Sequence, residues 1–140
     1  MLSVELGDWA SMAPALEAIR REVFIVEQQV PEEMEWDAGD ATSVHALARL
    51  DGHPVGCGRL LPDGHIGRMA VRAPFRSKGV GRALLQALLD EARRRGMRVV
   101  ALHAQMHALG FYEAQGFVAD GPVFDEAGIL HRRMSRALVS

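Results

Sequence analysis

The sequence predicts a mixed α/β (α+β) fold, a sheet with helices packed on it, in the order βαβββαβαββ. Two observations carry this: short apolar runs of strand length separated by glycine, proline and aspartate turns, and two longer segments whose apolar residues recur at helical spacing. A third bounds it. The chain has 140 residues, 49 % of them hydrophobic, enough for one domain spanning 1–140 to bury a core and too few for two of ordinary size.

Leu2 to Leu6 alternates as a short strand. Trp9, Met12, Leu16, Ile19 and Val23 then recur at helical spacing, with Asp8 or Ser11 as N-cap and Pro14 expected in the first turn. Pro31 rules out one long helix through the acidic stretch that follows Val26. Val44 to Leu50 and Val55 to Leu61 read as a hairpin around Asp51-Gly52-His53-Pro54, and His65 to Val71 as a third strand after the turn Pro62-Asp63-Gly64. Ala73 to Gly81 is a loop. The helix after it carries Leu84, Leu85, Leu88, Leu89 and Ala92 on one stripe and ends in Arg93-Arg94-Arg95-Gly96, cations and a glycine suited to a C-terminus. Arg98 to His103 is a strand, Ala104-Gln105 a turn, and His107 to Gln115 a short helix stopped by Gly116. Strands starting at Phe117 and running from Arg132 to Leu138 complete the order.

Charge is segregated. Glu22 to Asp40 holds seven acids and no base, while Arg68 to Arg98 holds nine bases against Asp90 and Glu91. This leaves two readings: an anionic and a cationic group each met by one wall, or two solvated faces. With a net charge of −2 and no aromatic residue interleaved with Arg93-Arg94-Arg95, nucleic acid is not an expected partner. No apolar run reaches the ~18 residues of a membrane span, and the N-terminal residues lack the basic and apolar regions of a signal peptide. A soluble, cytoplasmic domain is therefore expected. Cys57, the single cysteine, reads as a small buried side chain. His103 and His107 are four apart, but no HExxH glutamate accompanies them, so no metal is expected.

The most informative stretch is Arg76-Ser77-Lys78-Gly79-Val80-Gly81-Arg82, between a strand and a helix. A helix N-terminus offers unsatisfied N–H groups and partial positive charge, and glycines there let a ligand approach the backbone. With Arg76, Lys78 and Arg82 this makes a pyrophosphate site. The Walker lysine and the third glycine of a dinucleotide loop are both missing.

Arg76-x-x-Gly79-x-Gly81, with Gly67-Arg68-Met69-Ala70-Val71 before it and Phe111-Tyr112-Glu113-x-x-Gly116-Phe117 after it, resembles the GNAT family of acetyl-CoA-dependent N-acetyltransferases. Arg20-x-x-Val23-Phe24-x-Val26-Glu27-Gln28-x-x-Pro31, Asp37, Asp40, His45, Ala104-Gln105 and Gly128-Ile129-x-His131-x-x-Met134 are similar to its ElaA-like branch. The resemblance implies a mostly antiparallel sheet of about six to seven strands that splays between the fourth and fifth. It implies acetyl-CoA as co-substrate, with its pantetheine arm lying in that gap against backbone groups of Met69 and Val71 and its pyrophosphate on the amides of Ser77 to Arg82. Gln105 stands where many members have an asparagine on pantetheine, and Phe111 precedes the tyrosine beside the sulfur.

The reaction implied is direct transfer to an amine, without an acyl-enzyme. Met69 and Ala70 amides are candidates for the oxyanion, and Tyr112, the only tyrosine, for the general acid. His65, six residues before Val71 and on its face if no bulge intervenes, and Glu27 are the candidate bases; Glu27 has the alternative of pairing with Arg20 or Arg21. Seven acids favour a cationic amine as acceptor, and the family leaves room for a homodimer. The competing readings are a non-catalytic acyl-CoA sensor on the same fold and a dinucleotide or nucleotide domain.

Overall fold

A computed structural model describes residues 1–138. Leu2–Gly7 (β1) leads into Trp9–Arg20 (α1), whose N-cap is Asp8, its carboxylate accepting the Ser11 N–H at 2.9 Å. Pro14 therefore lies in the second turn, not the first, where it lacks the N–H that would reach the Ala10 carbonyl. From Arg21 to Glu27 the helix widens to a π-type turn, with the Gln28 N–H donating to the Val23 carbonyl at 3.1 Å. The acidic stretch then folds into two single turns, Glu32–Glu35 (α2) and Gly39–Thr42 (α3).

Val44–Leu50 (β2), His53–Leu60 (β3) and Ile66–Val71 (β4) complete an antiparallel sheet in the order β1-β2-β3-β4. Asp51 and Gly52 alone make the β2–β3 turn, both at positive φ as a two-residue hairpin turn requires. Pro54 is consequently inside β3, opposite Arg49 at a bulge, where a missing N–H is tolerated. In β4 a second bulge sets Arg68 (φ 51°) and Met69 against Gly58, because Cys57 pairs with Ala70 and Arg59 with Gly67. A Cβ at Gly58 would collide with the Met69 sulfur lying over it.

Helices cover both faces of this sheet. Val80–Arg94 (α4) buries Leu84, Leu85, Leu88, Leu89 and Ala92 against Ala46, Ala48 and Val55. On the other face α1 and the π-type turn bury Met12, Leu16, Ile19, Val23 and Phe24 against Leu47, Cys57 and Ala70. Each fully buried Leu or Ile contributes about 1.5–3 kcal/mol, so the two faces together anchor the sheet.

The second sheet is antiparallel as well, in the order β5-β7-β6: Val99–Gln105 (β5), Val118–Glu126 (β6) and Ile129–Ala137 (β7). Ala104 and Gln105 belong to β5 rather than to a turn, since they continue its ladder with Arg132 and His131. A 3-10 turn, Met106–Ala108, precedes the helix Leu109–Ala114 (α5). Among the described residues the sheets are joined by one parallel bridge, His65 to Ala101, supported by the Ala101 N–H to the Gly64 carbonyl at 3.1 Å. Beyond it β4 and β5 part, which is the splay between fourth and fifth strands. The β6–β7 turn carries Ala127 and Ile129 back to the Met12–Phe24 cluster, so this hairpin spans from one sheet to the other.

Candidate active site

The gap between β4 and β5 is lined by strand edges. Arg72 donates its N–H to the Val55 carbonyl at 2.9 Å, and Ala70, two residues earlier, is registered with Cys57. Alternate residues of an antiparallel ladder point the same way, so Ala70 faces β3 and Val71 turns its N–H and C=O into the gap. Ala70 is thus a correction to the expected oxyanion donors: its backbone belongs to the ladder side. Met69, inside the bulge, is released from regular pairing.

At the mouth of the gap, Ser77 (φ 63°) and Gly79 (φ 82°) bend the chain into α4. Gly79 is the N-cap and makes no side-chain cap, leaving the first-turn N–H groups of Val80, Gly81 and Arg82 to a ligand. Lys78 and Arg82 form no ion pair among the described residues, so their charges add to the helix-terminal field. Gly81 lies against the Phe111 ring, with 3.5 Å from a Cβ placed there to Cζ. Arg76 behaves differently: its guanidinium grips Glu27 through two bonds of 2.7 Å, and its Nε donates to the Val71 carbonyl at 2.9 Å. It therefore ties the π-type turn to the loop and is already charge-paired.

That fork also bears on Glu27, whose partner is Arg76 rather than Arg20 or Arg21. The bond from Arg76 holds the Glu27 carboxyl below its ordinary range, which weakens it as a base. His65 is displaced in another way. The bulge at Arg68 reverses the alternation, so His65 does not share a face with Val71, and its Nδ1 lies 3.0 Å from Asp63. Tyr112 is buried beside Phe111 and Phe117, and burial alone pushes its hydroxyl up to about 12. Gln105 pairs reciprocally with Gln28 at 2.8 and 3.3 Å and meets His107 Nε2 at 2.6 Å, linking β5 to the π-type turn. Burial pushes the Cys57 thiol up to about 12, which suits a core residue and not a nucleophile.

The acidic stretch folds onto arginines from several elements. Arg20, 1 % exposed, binds Glu35 Oε2 at 2.7 Å, the Glu35 carbonyl at 2.8 Å and Asp40 Oδ1 at 2.6 Å. Arg59 holds Asp37 at 2.7 and 3.0 Å and Asp40 at 2.9 Å, and Arg68 adds Glu35 and Asp37 at 3.3 Å. His45 meets the Asp40 carbonyl at 2.9 Å, with burial pushing its imidazole down, while Trp9 and Trp36 lie against Arg20. Glu22 pairs with Arg72, Glu27 with Arg76 and Glu32 with Arg21. Glu33 is the one acid of the stretch without an ion pair among the described residues. Six of the seven acids are thus paired within the molecule, so the stretch does not offer seven free charges to a cationic acceptor.

The profile described as an acetyltransferase (GNAT) domain matches residues 11–138. The chain belongs to the GNAT family. It is 37 % identical over 122 residues to a Bacillus subtilis (strain 168) protein named as an uncharacterized N-acetyltransferase, YjcF, covering 84 % of this chain and 87 % of the relative. It is 30 % identical over 133 residues to protein ElaA of Escherichia coli (strain K12), covering 89 % and 87 %. The crystal structure of that ElaA superposes with a TM-score of 0.86 over 97 % of this chain and 99 % of ElaA. An acyl-CoA N-acyltransferase from Pseudomonas aeruginosa, 33 % identical, superposes with a TM-score of 0.86 over 98 % and 100 %. The split sheet and the glycine loop at its mouth are thus GNAT features, and an acyl-CoA is the co-substrate class of the family. No helix among the described residues is long and apolar enough to cross a membrane.

Proposed function

We propose that this GNAT domain transfers an acetyl group from acetyl-CoA directly to a primary amine. The observation that carries the reading is the loop Ser77–Arg82, an uncapped helix start with two cations that form no ion pair among the described residues, opening onto the outer edge of β4. The pyrophosphate sits on its amides with Lys78 and Arg82 around it, and the pantetheine arm runs along the outward groups of Val71 and Met69. The amine nitrogen attacks the thioester carbon, the Met69 amide receives the developing oxyanion, and the carbon–sulfur bond breaks. A core thiol near 12 supplies no acyl-enzyme, which supports direct transfer.

Tyr112 serves the leaving sulfur. Burial pushes its hydroxyl up to about 12, so it is protonated at neutral pH and available to the sulfur as charge builds there. Tyr112 therefore donates to the departing thiolate as the carbon–sulfur bond breaks. Acetyl-CoA, CoA, NAD and ATP are compared first by thermal unfolding, then CoA release is followed with a panel of primary amines. Selective stabilisation by the CoA species, turnover of an amine, and a loss of about 10²–10³ in kcat for Tyr112→Phe are expected. Stabilisation by acetyl-CoA with no turnover of any amine would favour a non-catalytic acyl-CoA binder, and stabilisation by NAD or ATP instead would remove the reading.

A further inference from the structure

The acyl-transfer reading leaves one task unassigned. An alkyl ammonium, ionising near pH 10 by analogy with lysine, must lose a proton before its nitrogen can attack. Glu27 is held by Arg76, and His65 stands at the closed vertex of the gap. On this reading, we propose that His103, oriented by Glu126, is the base that takes the proton from the incoming amine.

Strand register places the pair. Gln105 is opposite His131, which is opposite Phe124, so these three share a face of the second sheet with His103, Glu126 and Ile129. Gln105 touches Gln28 and Ile129 packs on the Met12–Phe24 cluster, so this face is turned towards the π-type turn of the first sheet. His103 is two residues beyond Ala101, the point where the sheets last touch, and is the first side chain on that face as the strands separate. Counting outward in parallel from the bridge sets Gly67 across from it, and a Cβ on Gly67 would meet nothing within 4 Å. The imidazole therefore borders open space at the start of the gap.

The ring is fixed in a useful orientation. Glu126 Oε1 lies 3.1 Å from His103 Nδ1, which keeps the ring proton on that nitrogen and leaves the Nε2 lone pair as acceptor. Nε2 has no partner among the described residues. Phe124 stands edge-on to His103 at 5.0 Å between centroids and stacks on His131 at 5.9 Å, limiting rotation of both. His131 is the less suitable base: it is buried, its Nδ1 donates to the Ile129 carbonyl at 2.7 Å, and its Nε2 faces the second Glu126 oxygen at 3.7 Å. The other groups facing His103 are His65, edge-on at 6.3 Å with Asp63 behind it, Gln105, and Arg133, whose charge is taken by Asp120.

The step balances without a further reactant. The ammonium N–H bond breaks, its proton goes to His103 Nε2, and the imidazolium is stabilised by the Glu126 carboxylate. The freed lone pair forms the new C–N bond, and the half-exposed ring returns its proton to water. Glu126 acts through His103 and is a positioning residue.

The test compares two small nucleophiles with the full chain and acetyl-CoA: ethylamine, which is protonated at neutral pH, and hydroxylamine, which is already neutral. His103→Gln is expected to lose about 10²–10³-fold in kcat/KM with ethylamine and only a few-fold with hydroxylamine. Glu126→Gln is expected to lower kcat with ethylamine several-fold at unchanged KM and to leave hydroxylamine nearly unaffected, and both variants to keep the thermal shift with acetyl-CoA that reports a folded cofactor site. Equal losses with both nucleophiles, no loss with ethylamine, or a selective loss in His65→Gln instead would overturn the proposal while leaving acetyl transfer in place. Failure of the wild-type chain to acetylate either nucleophile or any amine of the panel would overturn the acetyl-transfer reading and this proposal together.

Discussion

Replacing Arg20 by Gln should reveal what the buried ion network contributes. Arg20 is 1 % exposed and engages two carboxylates, at 2.7 and 2.6 Å, besides the Glu35 carbonyl. Removing one partner of a buried pair generally costs about 3–5 kcal/mol, because the remaining charge stays desolvated. Two features place this case at the lower end. Arg59 still reaches Asp40 at 2.9 Å, and Arg68 still reaches Glu35 at 3.3 Å. The expected loss is about 3 kcal/mol, a substantial part of the 5–15 kcal/mol typical of a domain. Urea unfolding followed by tryptophan fluorescence measures it, since Trp9 and Trp36 both lie against this guanidinium. The midpoint should fall by about 1–3 M with an unchanged slope. A loss below about 1 kcal/mol at constant slope would refute the reasoning. Changing Arg20, Glu35 and Asp40 together to Met, Gln and Asn should recover part of the loss, because no buried charge is then left alone.

The same network predicts an acid transition. Arg59 holds the Asp37 carboxyl down to about 2, against an ordinary value of 3.8. A carboxyl depressed in the folded state contributes stability above pH ~3.8 that is lost as pH falls towards ~2. Asp37→Asn should therefore flatten the stability–pH curve between about pH 4 and 2, and an unchanged curve there would exclude the Arg59 contact as its source. In the loop proposed to hold the pyrophosphate the two glycines should respond differently. Gly79→Ala forces a side chain into φ 82° and should raise the KM for acetyl-CoA about tenfold, whereas Gly81→Ala, meeting Phe111 at an ordinary 3.5 Å, should change it less than threefold. A larger effect at Gly81 than at Gly79 would contradict this account of the loop.

The parts of the molecule that were legible in its sequence are those whose determinants are local. Gly79, Gly81 and the surrounding cations lie within a few residues of one another, and the leucine stripe of α4 is complete within one helix. The Asp51-Gly52 turn announces its own hairpin. What was misread depends on partners far apart in the chain. Glu35 and Asp40 look like a solvated or substrate-facing run until Arg20, Arg59 and Arg68 are brought to them, and those arginines come from α1, β3 and β4. The bulge at Arg68 is equally hidden, because a non-glycine residue at positive φ leaves no mark in the sequence, and it alone reverses the side to which His65 was assigned. His103 and Glu126 were overlooked as a pair for the same reason, standing 23 residues apart and meeting only through the register of β5, β7 and β6.

The irregularity in β4 has a consequence for the molecule before any ligand arrives. A strand whose outer edge is open along its length is a template onto which a neighbouring chain can add, and proteins that keep such edges commonly interrupt them. Here the break falls at Arg68, where the chain turns out of extended conformation and a charged side chain leaves towards Asp37 and the α2 carbonyls. Only the short reach around Val71 keeps the regular spacing of free donors and acceptors, and Arg76 already occupies the Val71 carbonyl from one side. The kink that releases Met69 from regular pairing thus also shortens the edge: the stretch left with strand spacing is a poor template for an added strand.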